Sequence, residues 1–212
     1  MNFGLLERTL EGEFFTDEVT RRLYATDASA YREMPVAVAI PKTENDIEIL
    51  IRFASENNTS IIPRTAGTSL AGQVVGPGIV VDVSKYFNRV IEINTAEGWV
   101  RVQPGIVRDD LNQYLKPYGF FFAPETSTAN RAMIGGMIGN NSCGSNSVVY
   151  GSVREHLLEV DTILSDGSKA WFGAMDTNDF YARAKGMTGS PAESRVYSHI
   201  EKILSDPDNR QE

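Results

Sequence analysis

Two stretches of this chain carry residue types at spacings that could do chemistry. From Pro124 to Gly151 the sequence reads PETSTANRAMIGGMIGNNSCGSNSVVYG, and from Arg64 to Gly72 it reads RTAGTSLAG. The longer stretch is too polar for a core element and too apolar for a disordered linker. Loops beyond about 12–15 residues inside a compact domain are usually either functional or disordered. Met133, Ile134, Met137 and Ile138 share one face of a short helix, which argues against disorder. Gly135 and Gly136 between them remove the side chains that would hold a ligand away from the backbone. After Ile138, glycine, asparagine, serine and cysteine leave backbone N–H groups open and tolerate the positive φ of an anion-holding nest. The chemistry indicated is the binding of a phosphate-bearing ligand. A glycine-rich surface loop with no ligand is the competing reading of these residues alone.

The shorter stretch, Arg64-Thr65-Ala66-Gly67-Thr68-Ser69 and on to Gly72, directly follows a predicted strand. In open α/β sheets ligands bind at the carboxyl ends of strands, so a phosphate could sit on this turn. No Gly-Lys-Ser/Thr follows, as a Walker A loop requires, and the three-glycine spacing of the dinucleotide fingerprint is missing. By itself the hexapeptide fits an anion site and an ordinary strand-to-loop turn equally well. The other reactive residue types add no site. His156 and His199 lack a neighbouring carboxylate pair or a second histidine at ligand spacing, so both read as surface residues and no metal site is indicated.

These stretches need elements to position them. Val36 to Ile40 is a short β-branched apolar run between Pro35 and Pro41, read as a buried strand. Thr43 to Asp46 fits a capping box, with Ile47, Leu50, Ile51 and Ala54 following at helical spacing and Asn57-Asn58 as the stop. Strands at Ser60–Pro63 and Ile79–Val83 complete a β-α-β unit with parallel pairing. Val90–Ile93 and Trp99–Val102 predict a hairpin, and Asp109 and Asp110 open a helix lined by Val107, Leu111 and Leu115. Phe120, Phe121 and Phe122 read as core residues. Leu157–Leu164 and Lys169–Phe172 flank the turn Ser165-Asp166-Gly167, and Val196, Ile200 and Ile203 mark one further amphipathic helix. The segment up to Tyr31 gives at most one or two short helices and no functional signal.

Composition narrows the function classes. At 212 residues, 42% of them hydrophobic, the chain suits one domain or two small lobes sharing a crevice. Its net charge of −8 speaks against nonspecific nucleic-acid binding, so any phosphate must be held locally by backbone donors and a few cations. A single cysteine, Cys143, excludes an internal disulfide and a cysteine-only metal cluster within this chain, and points to a reducing, cytoplasmic setting. Charges at Glu7, Arg8, Glu11, Glu13, Asp17 and Glu18 are incompatible with a signal-peptide core. The uncharged run Ala132–Val153 is long enough to cross a bilayer, but its asparagine, serine and glycine content argues against a span.

Taken in order, PRTAGTSLAGQ, IVVDVSKYFNRV, VQPGI, PETSTANRAMIGGMIGNNSCG, YG and LSDG make the chain resemble the FAD-binding domain of the vanillyl-alcohol-oxidase/PCMH flavoproteins. Within them it is most similar to the D-lactate, D-2-hydroxyglutarate and glycolate dehydrogenase branch. The segment EGWVRVQPGIVRDDLNQYLKPYGFFFAPETST looks particularly like the large flavin and iron–sulfur members. The likeness covers roughly residues 20–172. It implies an α+β fold of two lobes, a small parallel sheet followed by a larger mixed or antiparallel one, with noncovalent FAD between them. The organisation expected is a helical segment over 1–34, a first lobe over 35–84, a second over 85–205 and a polar tail over 206–212.

Mapped by motif, the resemblance implies that Thr65, Ala66, Gly67, Thr68 and Ser69 wrap the pyrophosphate, with Arg64 and Gly72 beside them. Pro124, Glu125, Ser127, Thr128, Gly135, Gly136, Asn140, Asn141, Ser142 and Gly144 line the second lobe's side, with Asn140, Asn141 and Ser142 as donors near the flavin ring. Gly151 and Val160 lie towards the adenosine end. Ala66 stands where the family often has glycine, and Thr68 where covalently flavinylated members commonly carry histidine, hence noncovalent FAD. Cys143 does not sit in a covalent-cysteine motif. Members of the family continue into a cap domain that supplies the substrate-binding residues, and the largest into cysteine-rich iron–sulfur segments. Neither is recognised here, so the chain reads as a fragment whose catalytic residues lie elsewhere.

The activity implied is oxidation of a 2-hydroxy acid with electrons passed to a separate acceptor. The expected setting is the cytoplasm or the inner membrane face. Two other readings stay open: a flavin-binding module without turnover, and a sugar-alcohol oxidase or enol-ether reductase built on the same domain.

Overall fold

The structure is a computed structural model that describes residues 1–210, and the chain divides into two compact units, 1–157 and 158 onward. In the first unit a four-stranded sheet has the order β1-β2-β4-β3, formed by β1 (Glu13–Phe15), β2 (Ala37–Ile40), β3 (Ile61–Arg64) and β4 (Ile79–Asp82). The last three are parallel, as the β-α-β pattern predicts, and β1 pairs antiparallel on the edge of β2. The opening segment does contain short helices, α1 (Leu6–Thr9) and α2 (Glu18–Leu23). The strand between them is the departure from the sequence reading, because three residues are too few to show a period of two.

Helix α3 (Glu44–Glu56) starts at the Thr43/Asp46 capping box and ends at Asn57, as the spacing predicts. Alternation along the strands sends Ala37, Ala39, Ile79 and Val81 into one core with Leu6, Leu50 and Phe53. Asp46 lies at the edge of that core, fully buried. Its Oδ1 accepts the N–H of Glu11 at 2.9 Å, and its Oδ2 accepts those of Gly12 at 3.0 Å, Lys42 at 2.8 Å and Thr43 at 3.3 Å. One carboxylate therefore caps α3 and fastens the N-terminal segment, using charge-assisted bonds that also satisfy it. Glu13 on β1 accepts from Tyr86 Oη at 2.7 Å and from Lys85, which secures the edge strand to the chain beyond β4.

A second core lies further along the first unit. The hairpin of β5 (Val90–Asn94) and β6 (Trp99–Val102) packs with α4 (Arg108–Leu115) and α5 (Ile134–Gly139) around Ile106, Leu111, Leu115, Ile134, Met137 and Val153. The aromatic triplet departs from expectation. Phe122 packs on this core, with its N–H donating to Asn112 Oδ1 at 2.7 Å, but Phe120 is 39% and Phe121 57% exposed. The triplet lies in a loop outside any helix or strand, and of the three only Phe122 packs on this core. Phe121 instead meets Tyr150, at the end of α6 (Ser147–Tyr150), edge-on at 5.6 Å.

The second unit pairs β7 (Glu159–Ile163) with β8 (Lys169–Gly173), an antiparallel hairpin turning at Gly167, with α7 (Thr177–Ala184) and α8 (Pro191–Leu204). Helix α8 was expected to bury Val196, Ile200 and Ile203. It turns Ala192, Glu193 and Tyr197 inward instead, leaving those three 38%, 38% and 57% exposed. The reason lies in α7, which the sequence reading left out: its Arg183 pairs with the buried carboxylate of Glu193 and stacks over Tyr197 at 5.7 Å.

Replacing the buried Asp46 by alanine strips four part-buried N–H groups of their acceptor, so unfolding stability should fall by about 2–4 kcal/mol, read from the shift in a urea midpoint.

Candidate functional site

The Arg64–Gly72 loop leaves the carboxyl end of β3, in the middle of the first unit's connection to β4. The N–H groups of Thr65, Ala66, Gly67, Thr68 and Ser69 donate to no group among the described residues, and all five residues are only partly buried. A row of open donors on a short turn suits an anion, as the resemblance to a pyrophosphate loop implies. Gly67 takes φ +66°, and a Cβ there would come 2.5 Å from Arg64 Nη2, so both conformation and space call for glycine.

Something other than those donors must hold the loop. Arg64 is turned back onto the N-terminal segment: its Nη1 donates to Thr26 O at 2.9 Å, and its guanidinium lies 5.1 Å from the centre of the Tyr24 ring. Tyr24 Oη donates to the buried Asp82 at 2.7 Å, and Asp82 also accepts the Ser84 N–H at 2.8 Å. Burial first, and the bond to Asp82 second, hold the Tyr24 phenol well above its usual range. Ala28 N–H donates to Gly67 O at 3.1 Å, and the Tyr31 ring packs against Gly72. Tyr24, Thr26, Ala28 and Tyr31 are the site residues that sequence reasoning missed. Their relation to Arg64 spans some 40 positions and has no local pattern to reveal it.

The second glycine-rich stretch meets the first. Helix α5 buries Ile134 and Met137 and presents Gly135 to Pro104 and Gly136 to Thr65. A Cβ on Gly136 would stand 2.6 Å from Thr65 Oγ1, and one on Gly135 2.5 Å from Pro104 Cβ. Beyond the helix, Asn140 Oδ1 accepts from Gln73 Nε2 at 2.9 Å, a second bridge between the stretches. The sequence assigns Gly135 and Gly136 the role of letting a ligand reach the backbone; the space they leave also lets the two stretches touch.

Asn141 takes φ +44°, and its Oδ1 accepts from Ser152 Oγ and from Arg154 N–H, both at 2.9 Å. Ser142 is buried, its N–H donating to Met137 O and its carbonyl accepting from Val153. Pro124 is fully buried, and its carbonyl accepts from Arg108 Nε at 3.1 Å. Glu125 accepts from Asn146 Nδ2 at 2.6 Å and Ser145 Oγ at 3.3 Å, with Gly144 against its carbonyl. Ser127 is exposed in a turn, and Thr128 O receives the N–H groups of Arg131 and Ala132. Gly151 ends α6 beside Glu155. Val160 sits on β7 in the second unit, paired with Phe172. His156 and His199 are exposed, each within 2.8 Å of a backbone carbonyl, and Cys143 is exposed and free. Among the described residues no cluster of histidine, cysteine and carboxylates could hold a metal, and no helix is long and apolar enough to cross a membrane.

The FAD binding domain family matches residues 35–173. A D-2-hydroxyglutarate dehydrogenase of Escherichia coli is 44% identical over 166 residues, covering 77% of this chain and 16% of that protein. A glycolate oxidase subunit of Bacillus subtilis is 32% identical over 158 residues, covering 73% of this chain and 34% of its own length. Among solved structures, 6-hydroxy-D-nicotine oxidase from Arthrobacter nicotinovorans superimposes with a TM-score of 0.70 at 20% identity, over 82% of this chain and 38% of that one. That likeness bears on the fold, and it supports an α+β arrangement of the PCMH type. The chain spans about a sixth of the length of the dehydrogenase it matches.

Two measurements probe the site's construction. Gly135→Ala should lower the melting temperature, costing about 1–3 kcal/mol of overpacking against Pro104, while Gly139→Ala, with open space around it, should not. The raised Tyr24 phenol stabilises the fold fully below its unfolded pKa near 10.0, and that contribution is lost as pH climbs from there through its raised value in the folded protein. Melting temperature should therefore drop more steeply above that pH in the native protein than in Tyr24→Phe.

Proposed function

The chain belongs to the FAD binding domain family, and from that premise we propose that it is the flavin-holding part of a dehydrogenase oxidising a D-2-hydroxy acid to the 2-oxo acid. The observation that carries the proposal is the meeting of the two glycine-rich stretches at Thr65–Gly136 and Gln73–Asn140, beside donors left open on Thr65 to Ser69. Those five N–H groups receive the pyrophosphate, and they do so without a covalent anchor, since Thr68 offers a hydroxyl where a linking histidine would stand. Bound FAD supplies the acceptor for the hydride that leaves the hydroxyl-bearing carbon.

Asn140, Asn141 and Ser142 are assigned to the ring end, where donors favour negative charge developing on the flavin. Asn141 suits that role because Oδ1 is engaged by Ser152 and Arg154, which fixes the carboxamide and turns Nδ2 to the other side. Pro124, Glu125, Ser127, Thr128 and Gly144 shape the wall behind them. The names of the relatives support a small 2-hydroxy acid as substrate. The groups that choose the acid and take its hydroxyl proton are assigned to the part of the relatives' length that this chain does not span. The electron acceptor is a separate redox partner, and a reducing, cytoplasmic setting, at or near the inner membrane face, fits the exposed thiol of Cys143.

Titrating the purified chain with FAD should quench flavin fluorescence to a one-to-one endpoint, with the flavin released on denaturation. In a polypeptide of the relatives' full length, D-2-hydroxyglutarate, D-lactate or glycolate should bleach the bound flavin without oxygen, and Asn141→Ala should slow that bleaching. A chain that neither quenches nor retains FAD would sink the proposal. Full-length protein bleached only by a sugar alcohol would redirect it to the other chemistry of the fold.

A further inference from the structure

We propose that Arg64 is a positioning residue and not a phosphate ligand. It is locked away from the anion by Tyr24 and Asp82, so that the N-terminal segment sets the shape of the loop that receives the pyrophosphate. The inference rests on the reading of residues 64–72 as a cofactor loop, and it gives an unassigned role to Tyr24, Asp82 and the segment between Tyr24 and Ala28.

An arginine heading a pyrophosphate loop invites assignment as a counter-ion. The geometry points elsewhere. The guanidinium donates to the Thr26 carbonyl at 2.9 Å and lies 5.1 Å from the Tyr24 ring centre, the stacked arrangement this planar cation favours. It also packs against Gly67, with Nη2 2.5 Å from where a Cβ would be, so it supports the turn whose N–H groups are open. Tyr24 cannot swing aside, because its hydroxyl is anchored 2.7 Å from Asp82 and that carboxylate is itself buried and held by Ser84 N–H. The Ala28 N–H then takes the Gly67 carbonyl at 3.1 Å.

The order of contacts is therefore Asp82 to Tyr24, Tyr24 to Arg64, and Arg64 with Ala28 to the loop backbone. A loop with its own donors unused gains its shape from outside. Preformed donors also bind an anion without the ordering cost that a mobile loop would carry.

The experiment measures FAD dissociation constants by fluorescence quenching for the wild-type chain, Tyr24→Phe, Arg64→Ala, Arg64→Lys and the Tyr24→Phe/Arg64→Ala pair. All are measured well below each variant's melting temperature. Arg64→Ala and Arg64→Lys should both weaken FAD roughly tenfold, because lysine keeps the charge but lacks the planar fork. Tyr24→Phe should weaken it about threefold alone and add nothing in the Arg64→Ala background. In Tyr24→Phe, a variant that removes one oxygen and leaves the ring, the pyrophosphate ³¹P resonances of bound FAD should move while the flavin's visible band stays in place. A general loss of structure would move both.

Wild-type affinity in Arg64→Lys, or an additive Tyr24→Phe effect, would overturn the proposal by showing the charge to act on the phosphate directly. A Tyr24→Phe protein that binds FAD unchanged would overturn it as well. Failure of the wild-type chain to bind FAD would instead count against the proposed function.

Discussion

A turn proposed to bind an anion must keep its own N–H groups free, and the Arg64–Gly72 turn of the first unit meets that constraint. A backbone that leaves donors unpaired gives up hydrogen bonds that would otherwise define its shape. From Thr65 to Ser69 no N–H finds a partner among the described residues, and the surroundings take over the definition. Arg64 packs against the turn, Ala28 takes up the Gly67 carbonyl, and Gly67 supplies the left-handed backbone. The sheet contributes through Asp82, placed by strand alternation on the face away from α3, where Tyr24 can reach it.

The same constraint explains why two cores are needed. One core, of sheet and α3, fixes the carboxyl end of β3; the other, of β5, β6, α4 and α5, fixes the glycines that face it. Each core is closed by an economy of side chain. Ala37 and Ala39 let α3 approach the sheet, and Gly135 lets α5 rest on Pro104. Gly136 then brings the second core against Thr65, and the bond from Gln73 to Asn140 joins the stretches. The surface that results carries open backbone donors, which suits the local phosphate binding proposed for a chain of net charge −8.

Much of this was legible in the residues. The capping box at Thr43, the parallel strands around α3, the hairpin at Asn94–Gly98 and the short helix over Met137 all follow from patterns a few residues long, and each appears where the spacing puts it. The failures share a cause. The strand Glu13–Phe15 exists only because β2 offers an open edge, and its three residues carry no signal of their own. The phenylalanine triplet is hydrophobic throughout, yet one surface is available to it. In α8 the apolar residues Val196 and Ile203 are left out while Glu193 is buried, because Arg183 of α7 supplies the charge that makes a buried carboxylate tolerable.

By itself the sequence determined that the chain holds two anion-competent glycine stretches on an α+β scaffold and, by resemblance, that the anion belongs to FAD. Glycine, hydroxyl and capping residues act on the backbone within a turn or two of themselves, so their consequences are local and can be read in line. Only the tertiary structure decided that the stretches touch, that Arg64 turns back onto Thr26 and the Tyr24 ring, and that the Tyr24 hydroxyl is held by Asp82. Those outcomes depend on which side chain lies nearest across 40 or 58 positions of chain, a distance in sequence over which no periodicity carries information.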